Sequence, residues 1–250
     1  MSAAARYHRS MPPPRRHPPP EPPRPRKRSR PVREPLSRER IVQVALKQVH
    51  RDGLAQLSTR RLGQELGCEA MSIYHHFPSK AHLLDAMVDH AIASVALPPA
   101  GIDPTQRLRA LCHAYRAMAH RFPALFPLVA VHRLNTPTGV RFIDAVLAMI
   151  QALEPDPQAA ARQFRAVGYY LVGACLDETS GYAKGPSAAE PVSDDYVAAH
   201  CPALMSAAPY FQRQHWDATF NLGIEAMIDS FSRDVAKPEP KTARARAKAR

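Results

Sequence analysis

From Leu36 onward the apolar residues fall at helical spacing, and glycines and prolines cut the run into short pieces. Ile41, Val44, Ala45 and Val49 recur at steps of three and four, the repeat of one face of an α-helix. No region is rich in strand-like alternation. An all-α fold is therefore expected, and the punctuation fixes its pieces. Ser37 is a good N-cap, with Glu39 in a first turn that the helix dipole favours. Asp52-Gly53 ends this first helix. A second, short helix is capped by Ser58, turns Leu62 and Leu66 inward and stops at Gly67. A third spans about Glu69 to His76, where Pro78 prevents continuation. Ser79 caps a fourth, Lys80–Val95, with Leu83, Leu84, Met87, Val88 and Ile92 on its apolar side. Further helices are expected at about 104–121, 123–133, 138–152, 157–183, 194–207 and 211–234.

Residues 54–80 read LAQLSTRRLGQELGCEAMSIYHHFPSK. Two short helices around a tight turn have the shape of a helix-turn-helix. Gly63 and Gly67 allow the close crossing, and Leu62, Leu66 and Ile73 face a core shared with Ile41 and Val44. That leaves Ala70, Met71, Tyr74 and His75 outward on the second helix, where a DNA major groove receives such side chains. Thr59, Ser72, Tyr74 and Lys80 are hydroxyl and cationic groups near helix starts or along the rim, suited to phosphate oxygens.

Charge supports a polyanion at one end. The chain carries a formal net charge of +12, of which residues 1–35 hold +8 and residues 237–250 hold +5. Between the tails, 36–80 is +3 and 81–236 is −4. The body thus has a basic front and an acidic back. Residues 1–35 contain 11 prolines and 10 basic residues with almost no aliphatic side chains, too little apolar area to offset the cost of ordering. A disordered arm over 1–35 and a basic disordered tail over 237–250 are expected. Either tail tracks phosphates or is simply solvated.

The motif resembles the DNA-binding domain of the TetR family of bacterial repressors. The resemblance rests on Thr59-Arg60-Arg61-Leu62, on Leu66-Gly67, on Ser72-Ile73-Tyr74-His75-His76-Phe77, and on Ser79-Lys80 followed by Leu83-Leu84. It covers about 36–95 closely; beyond, only the all-helical layout is similar. It implies a helix-turn-helix domain over 36–82 and a ligand-binding and dimerisation domain over 83–236. It implies base reading by Arg60, whose bidentate fork suits guanine. It also implies base-facing positions for Ala70 and Met71, a groove-facing His75, and phosphate contacts from Thr59, Ser72, Tyr74 and Lys80. His76 is expected to buttress the packing.

The family also implies a homodimer on a palindromic double-stranded operator, built by helices 157–183 and 211–234. On the first, Phe164, Val167, Gly168, Leu171, Val172 and Cys175 form a stripe. On the second, Trp216, Phe220, Gly223, Ile224, Met227 and Phe231 do so. Periodicity alone leaves open whether these stripes face a partner or the subunit's own interior. The middle helices then frame a cavity for a small-molecule effector, with His113, Tyr115, Met118, Phe122, Phe126, His132, Phe142, Tyr169, Tyr170 and Asp177 as candidate lining. Core packing and solvent exposure are the competing readings for each.

Other classes find little support. Cys68, Cys112, Cys175 and Cys201 form no CxxC pair, so neither a disulfide framework nor a zinc finger is expected. His75 and His76 point about 100° apart on a helix and cannot easily share an ion. Cys112, His113, His120 and His132 match no zinc spacing. No metal or cofactor is expected. The Asp177-Glu178 and Asp194-Asp195 pairs read as helix surfaces or ends. No nucleotide-binding or hydrolase motif is present, so an enzyme is not expected. No membrane span or secretory signal is seen, and a cytoplasmic location follows. The expected function is a sequence-specific transcriptional regulator, a repressor released by its effector. The alternative is a sequence-indifferent, nucleoid-type binder that acts through its basic tails.

Overall fold

The computed structural model describes residues 35–181 and 188–235, and among them every regular element is helical. The expectations for residues 1–34 and 237–250 lie outside the described residues. The helices are α1 (Arg38–Asp52), α2 (Thr59–Leu66), α3 (Ala70–His76), α4 (Lys80–Ala93), α5 (Pro104–Arg121), α6 (Phe126–Val131), α7 (Pro137–Gln151), α8 (Pro157–Ser180), α9 (Asp194–His200), α10 (Pro202–Ala207) and α11 (Trp216–Val235). None is long and apolar enough to cross a membrane.

Most starts are written in the sequence. The hydroxyls of Ser37, Ser58 and Ser79 accept from the backbone N–H three residues on, at Arg40, Arg61 and His82. Each such cap stabilises its helix by about 1 kcal/mol. Asp103-Pro104, Thr136-Pro137 and Asp156-Pro157 repeat one device at α5, α7 and α8. A side-chain oxygen caps, and proline fills the first position, where no N–H is needed.

Proline also explains where the helices fall short of expectation. The expected helix at 123–133 shrinks to α6, with Pro127 in its first turn. The expected helix at 194–207 breaks between His200 and Pro202, since Pro202 has no N–H to continue the ladder. The expected helix at 211–234 begins only at Trp216, after 3-10 turns at Ala208–Phe211 and Arg213–His215.

α1, α2 and α3 close on one another over Ile41, Leu62, Ile73 and Phe77, all essentially inaccessible. α4 leaves this head and packs on α6 and α7. α8 is the spine of the larger domain and packs on α5, α6, α7 and α11.

The two apolar stripes turn inward. Val167, Leu171 and Cys175 of α8 and Phe220, Ile224 and Phe231 of α11 are buried within the subunit. A single helix has one dominant apolar stripe, and the subunit's own core claims it. The outward side of α8 shows Arg165, Tyr169 and Gly173 instead, and that of α11 shows Leu222.

Glu178, read as surface, is nearly buried. Its Oε2 accepts from Arg116 Nε at 2.7 Å and lies 2.6 Å from His120 Nε2, and Arg116 also reaches Asp217 at 2.7 Å. The expected helix-end place of Asp194-Asp195 does appear, in the exposed first turn of α9.

Candidate nucleic-acid interface and the cavity behind it

The head presents one continuous polar rim. Gly67 closes α2 in the left-handed region, at φ 67°, a conformation glycine adopts without strain. The chain then doubles back so tightly that a Cβ on Gly63 would stand 2.8 Å from the Cys68 carbonyl oxygen and 3.3 Å from the Ala70 nitrogen. α3 is therefore laid directly against α2. Its far end is fixed to α1 by Arg38, which donates to the His76 carbonyl and stacks 4.2 Å over the Phe77 ring.

Eight residues were expected to meet DNA. Thr59 and Arg60 open α2; Ala70, Met71, Ser72, Tyr74 and His75 lie on α3; Lys80 opens α4. Met71 is 64% exposed and Tyr74 40%, and Arg60 and His75 are also exposed. Thr59, Ala70 and Ser72 are half-buried. Two contacts draw α2, α3 and the start of α4 together. The Thr59 and Tyr74 hydroxyls are 3.4 Å apart, and Lys80 Nζ donates to the Leu57 carbonyl at 2.8 Å. Lys80 keeps further N–H donors beyond this bond. Met71, more exposed than Tyr74, is an apolar side chain that the head's own packing leaves in solvent.

Two of the head's four acids are engaged away from α3. Asp52 and Glu65 pair with Arg51, and Asp52 also with Arg61. Among the described residues no ion pair holds Arg60. Its exposed guanidinium keeps its set of N–H donors.

α4 ties this rim to the larger domain. His132 Nε2 lies 2.9 Å from Asp85 Oδ1, and the Thr136 hydroxyl donates to Asp89 Oδ1 at 2.5 Å. Asp85 and Asp89 are one turn apart, so two bonds clamp the α6–α7 loop to the middle of α4. Beyond them His90 meets Gln43 of α1 at 3.2 Å and sets its ring edge-on to Phe122, with centroids 6.1 Å apart. Burial, followed by the nearby Arg121 charge, holds the His90 imidazole below its ordinary pKa. Sequence reasoning missed Arg38, Asp85 and Asp89. The two aspartates sit one turn apart on the polar side of α4, but their partners lie 47 residues away.

The same loop carries Leu134 into the wall of a cavity of about 140 Å3 between α5, α7 and α8. Of the ten residues expected to line a ligand site, Tyr115 and Phe142 meet here, with Phe164, Val167 and Gly168 around them. Tyr115 is the one lining side chain with a polar atom, and burial pushes its phenol above the usual range, so it stays protonated. A Cβ at Gly168 would meet nothing within 4 Å. Burial likewise pushes the thiols of Cys112 and Cys175 up to about 12, which leaves both unreactive.

The remaining eight are dispersed. Met118 and Phe126 are core. Phe122 is turned toward His90, and His132 is bound to Asp85. His113 lines a surface cleft with Arg116 and Trp216. Tyr170 and Asp177 line another between α8 and α11. Tyr169 is 66% exposed on the outer side of α8.

Residues 41–87 match the family model described as bacterial regulatory proteins, tetR family, and residues 97–233 match that of the tetracyclin repressor-like C-terminal domain. The chain is similar to the HTH-type transcriptional repressor DrrR1 of Streptomyces coeruleorubidus, at 30% identity over 156 residues. That alignment takes in 61% of this chain and 57% of the repressor, so it spans less than two thirds of that protein's length. Similarity to the tetracycline repressor protein class A from transposon 1721 of Escherichia coli is 26% over 200 residues, 77% of this chain and 89% of that one. Among solved structures, a possible TetR family transcriptional regulator from Streptomyces coelicolor A3(2) superposes with a TM-score of 0.66 at 27% identity. The superposition covers 80% of this chain and all of the other.

Proposed function

Because the chain belongs to the tetR family of bacterial regulatory proteins and is a DNA-binding transcriptional regulator, we propose that it represses from a palindromic operator and leaves it when a small effector enters the cavity behind α4. The observation that carries this reading is the pair of bonds from Asp85 and Asp89 to His132 and Thr136. They join the helix that begins at Lys80, on the DNA-facing rim, to the loop that carries Leu134 into the cavity wall.

In this reading Arg60 reads a base edge by its bidentate fork, with Ala70, Met71 and His75 facing the groove. Thr59, Ser72, Tyr74 and Lys80 hold phosphates and set the register. Two heads in a symmetric dimer lie about 34–36 Å apart, one turn of DNA. The dimer forms through the outward sides of α8 and α11, which leave Tyr169 and Leu222 exposed in the single subunit. No catalytic step is part of this reading, and the protein acts where the chromosome is, in the cytoplasm.

The effector is mostly apolar and carries one group that bonds the Tyr115 hydroxyl. Sites for drug-sized ligands run to about 300–1,000 Å3. A larger effector must therefore part α7 from α8 and displace Leu134, and the displacement pulls on α4. Only preference for the displaced state lowers operator affinity, since equal affinity for both states shifts nothing.

Selection of bound sequences from random duplex DNA by the full-length protein tests the reading. A two-fold symmetric motif is expected, and Arg60→Ala should lose about 1–3 kcal/mol at one base position in each half-site. Featureless enrichment that fades as salt rises would overturn it in favour of non-specific binding through the basic tails.

A further inference from the structure

α5 faces two ways. Leu111 and Tyr115 line the inner cavity, whereas His113, Arg116 and His120 lie on roughly the opposite side of the helix. There they form, with Arg213 and Trp216 at the start of α11, a separate cleft of about 360 Å3. That volume falls within the range of about 300–1,000 Å3 that drug-sized ligands occupy. Although residues 81–236 are −4 as a whole, two arginines and two histidines gather at this one place. Arg116 is anchored by the nearly buried Glu178 at 2.7 Å, and the same carboxylate oxygen lies 2.6 Å from His120 Nε2. Arg213 stacks 5.7 Å over the Trp216 ring, and among the described residues no ion pair holds it. The acid at the rim is Asp217, 87% exposed, which accepts from Arg116 Nη1 at 2.7 Å. A carboxylate so open to water is held weakly and is readily exchanged for another.

We propose that this cleft is a second small-molecule site, separate from the inner cavity, and that it takes an aromatic carboxylic acid. The ligand's carboxylate displaces Asp217 from Arg116 Nη1 and bonds Arg213 as well, and its ring lies against Trp216. Planar guanidinium forks suit a carboxylate, and the indole supplies an apolar face. An aromatic cation would instead meet two guanidiniums, with one exposed acid already bonded to Arg116. The cleft stands clear of the outward side of α11, since Leu222 lies about 140° around that helix from Asp217. The site therefore requires nothing of the operator or of the dimer.

Trp216 is the only tryptophan of the chain, so its fluorescence reports on this cleft directly. Titration of the full-length protein with 4-nitrobenzoate, a quencher, should give a saturable loss of emission. The matched cation 4-nitrobenzylammonium should bind about tenfold more weakly or worse. Arg213→Gln should weaken 4-nitrobenzoate about tenfold, through loss of a charge-assisted bond. Asp217→Asn should tighten it about threefold, because the competing anion is gone. Both residues are exposed, so both variants should melt like the wild type. Gly168→Leu, which alters the inner cavity, should bind 4-nitrobenzoate as the wild type does. Quenching that never saturates, a cation that binds as tightly as the acid, or charge variants of unchanged affinity would each overturn the proposal. Loss of binding in Gly168→Leu would overturn it as well and move the ligand to the inner cavity.

Discussion

Tyr170 occupies the space that a side chain on Gly223 would need. Its ring and hydroxyl lie where that Cβ would stand, and the hydroxyl donates to the Phe220 carbonyl at 2.8 Å and lies 3.3 Å from that of Thr219. One tyrosine of α8 is thereby bonded to the backbone of α11. Gly223→Ala is expected to destabilise the subunit by about 1–3 kcal/mol through overpacking. Tyr170→Phe, which keeps the ring, should cost about 0.5–1.5 kcal/mol. Calorimetry on both variants checks the contact. Unchanged melting of Gly223→Ala would show that Tyr170 swings aside freely.

Gly63→Ala probes the crossing of α2 and α3. The obstacle is the Cys68 carbonyl, a backbone atom that cannot rotate away. The turn must therefore open and carry α3 outward from α2. Operator affinity should fall steeply, with about 1–3 kcal/mol of stability lost beside it. Gly101→Ala is the control, because an added methyl there meets nothing within 4 Å. Fluorescence titration of an operator duplex should separate the two; equal affinities would remove the close crossing from the account.

Much of the head is legible in the sequence because its signals are local. Ser37, Ser58 and Ser79 cap within three residues of themselves, and Gly67 bends the chain where it stands. The rim residues Arg60, Met71, Tyr74 and His75 show themselves as side chains a three-helix core has no use for. The cavity is less legible, since its walls come from three helices whose separation in space is not encoded in any one of them. Phe126 and Phe142 look alike in the sequence, yet one is fully buried in the core and the other meets the cavity. The stripes on α8 and α11 leave their packing partner open for a related reason. Periodicity reports that a face is buried, not by what. Clamps such as Asp85–His132 join groups so far apart in sequence that only the fold brings them together.

Gly168→Leu should fill the cavity without disturbing its walls. A Cβ there meets nothing within 4 Å, Gly168 lines the cavity together with Phe142 and Phe164, and glycine is lost from a helix interior. Removing that glycine alone favours the helix by about 0.5–1 kcal/mol. The variant should bind operator like the wild type, melt no lower, and ignore any effector that releases the wild type. An effector that still releases Gly168→Leu from DNA would have to bind elsewhere.

His90 sets an acid limit on the joint between head and body. Burial and the Arg121 charge hold its folded-state pKa below the ordinary 6.5, so the folded protein favours the neutral ring that meets Gln43 and Phe122. The unfolded chain takes up its proton first as pH falls. The stabilisation is therefore complete above pH 6.5 and is lost as pH falls toward the depressed folded-state value. His90→Gln keeps a hydrogen-bonding group toward Gln43 and removes the titration. Melting temperatures measured on both sides of pH 6.5 should fall more steeply for the wild type than for the variant, since the other histidines are common to both. Parallel curves would mean that His90 ionises alike in the folded and unfolded chains, and that the joint carries no acid sensitivity of its own.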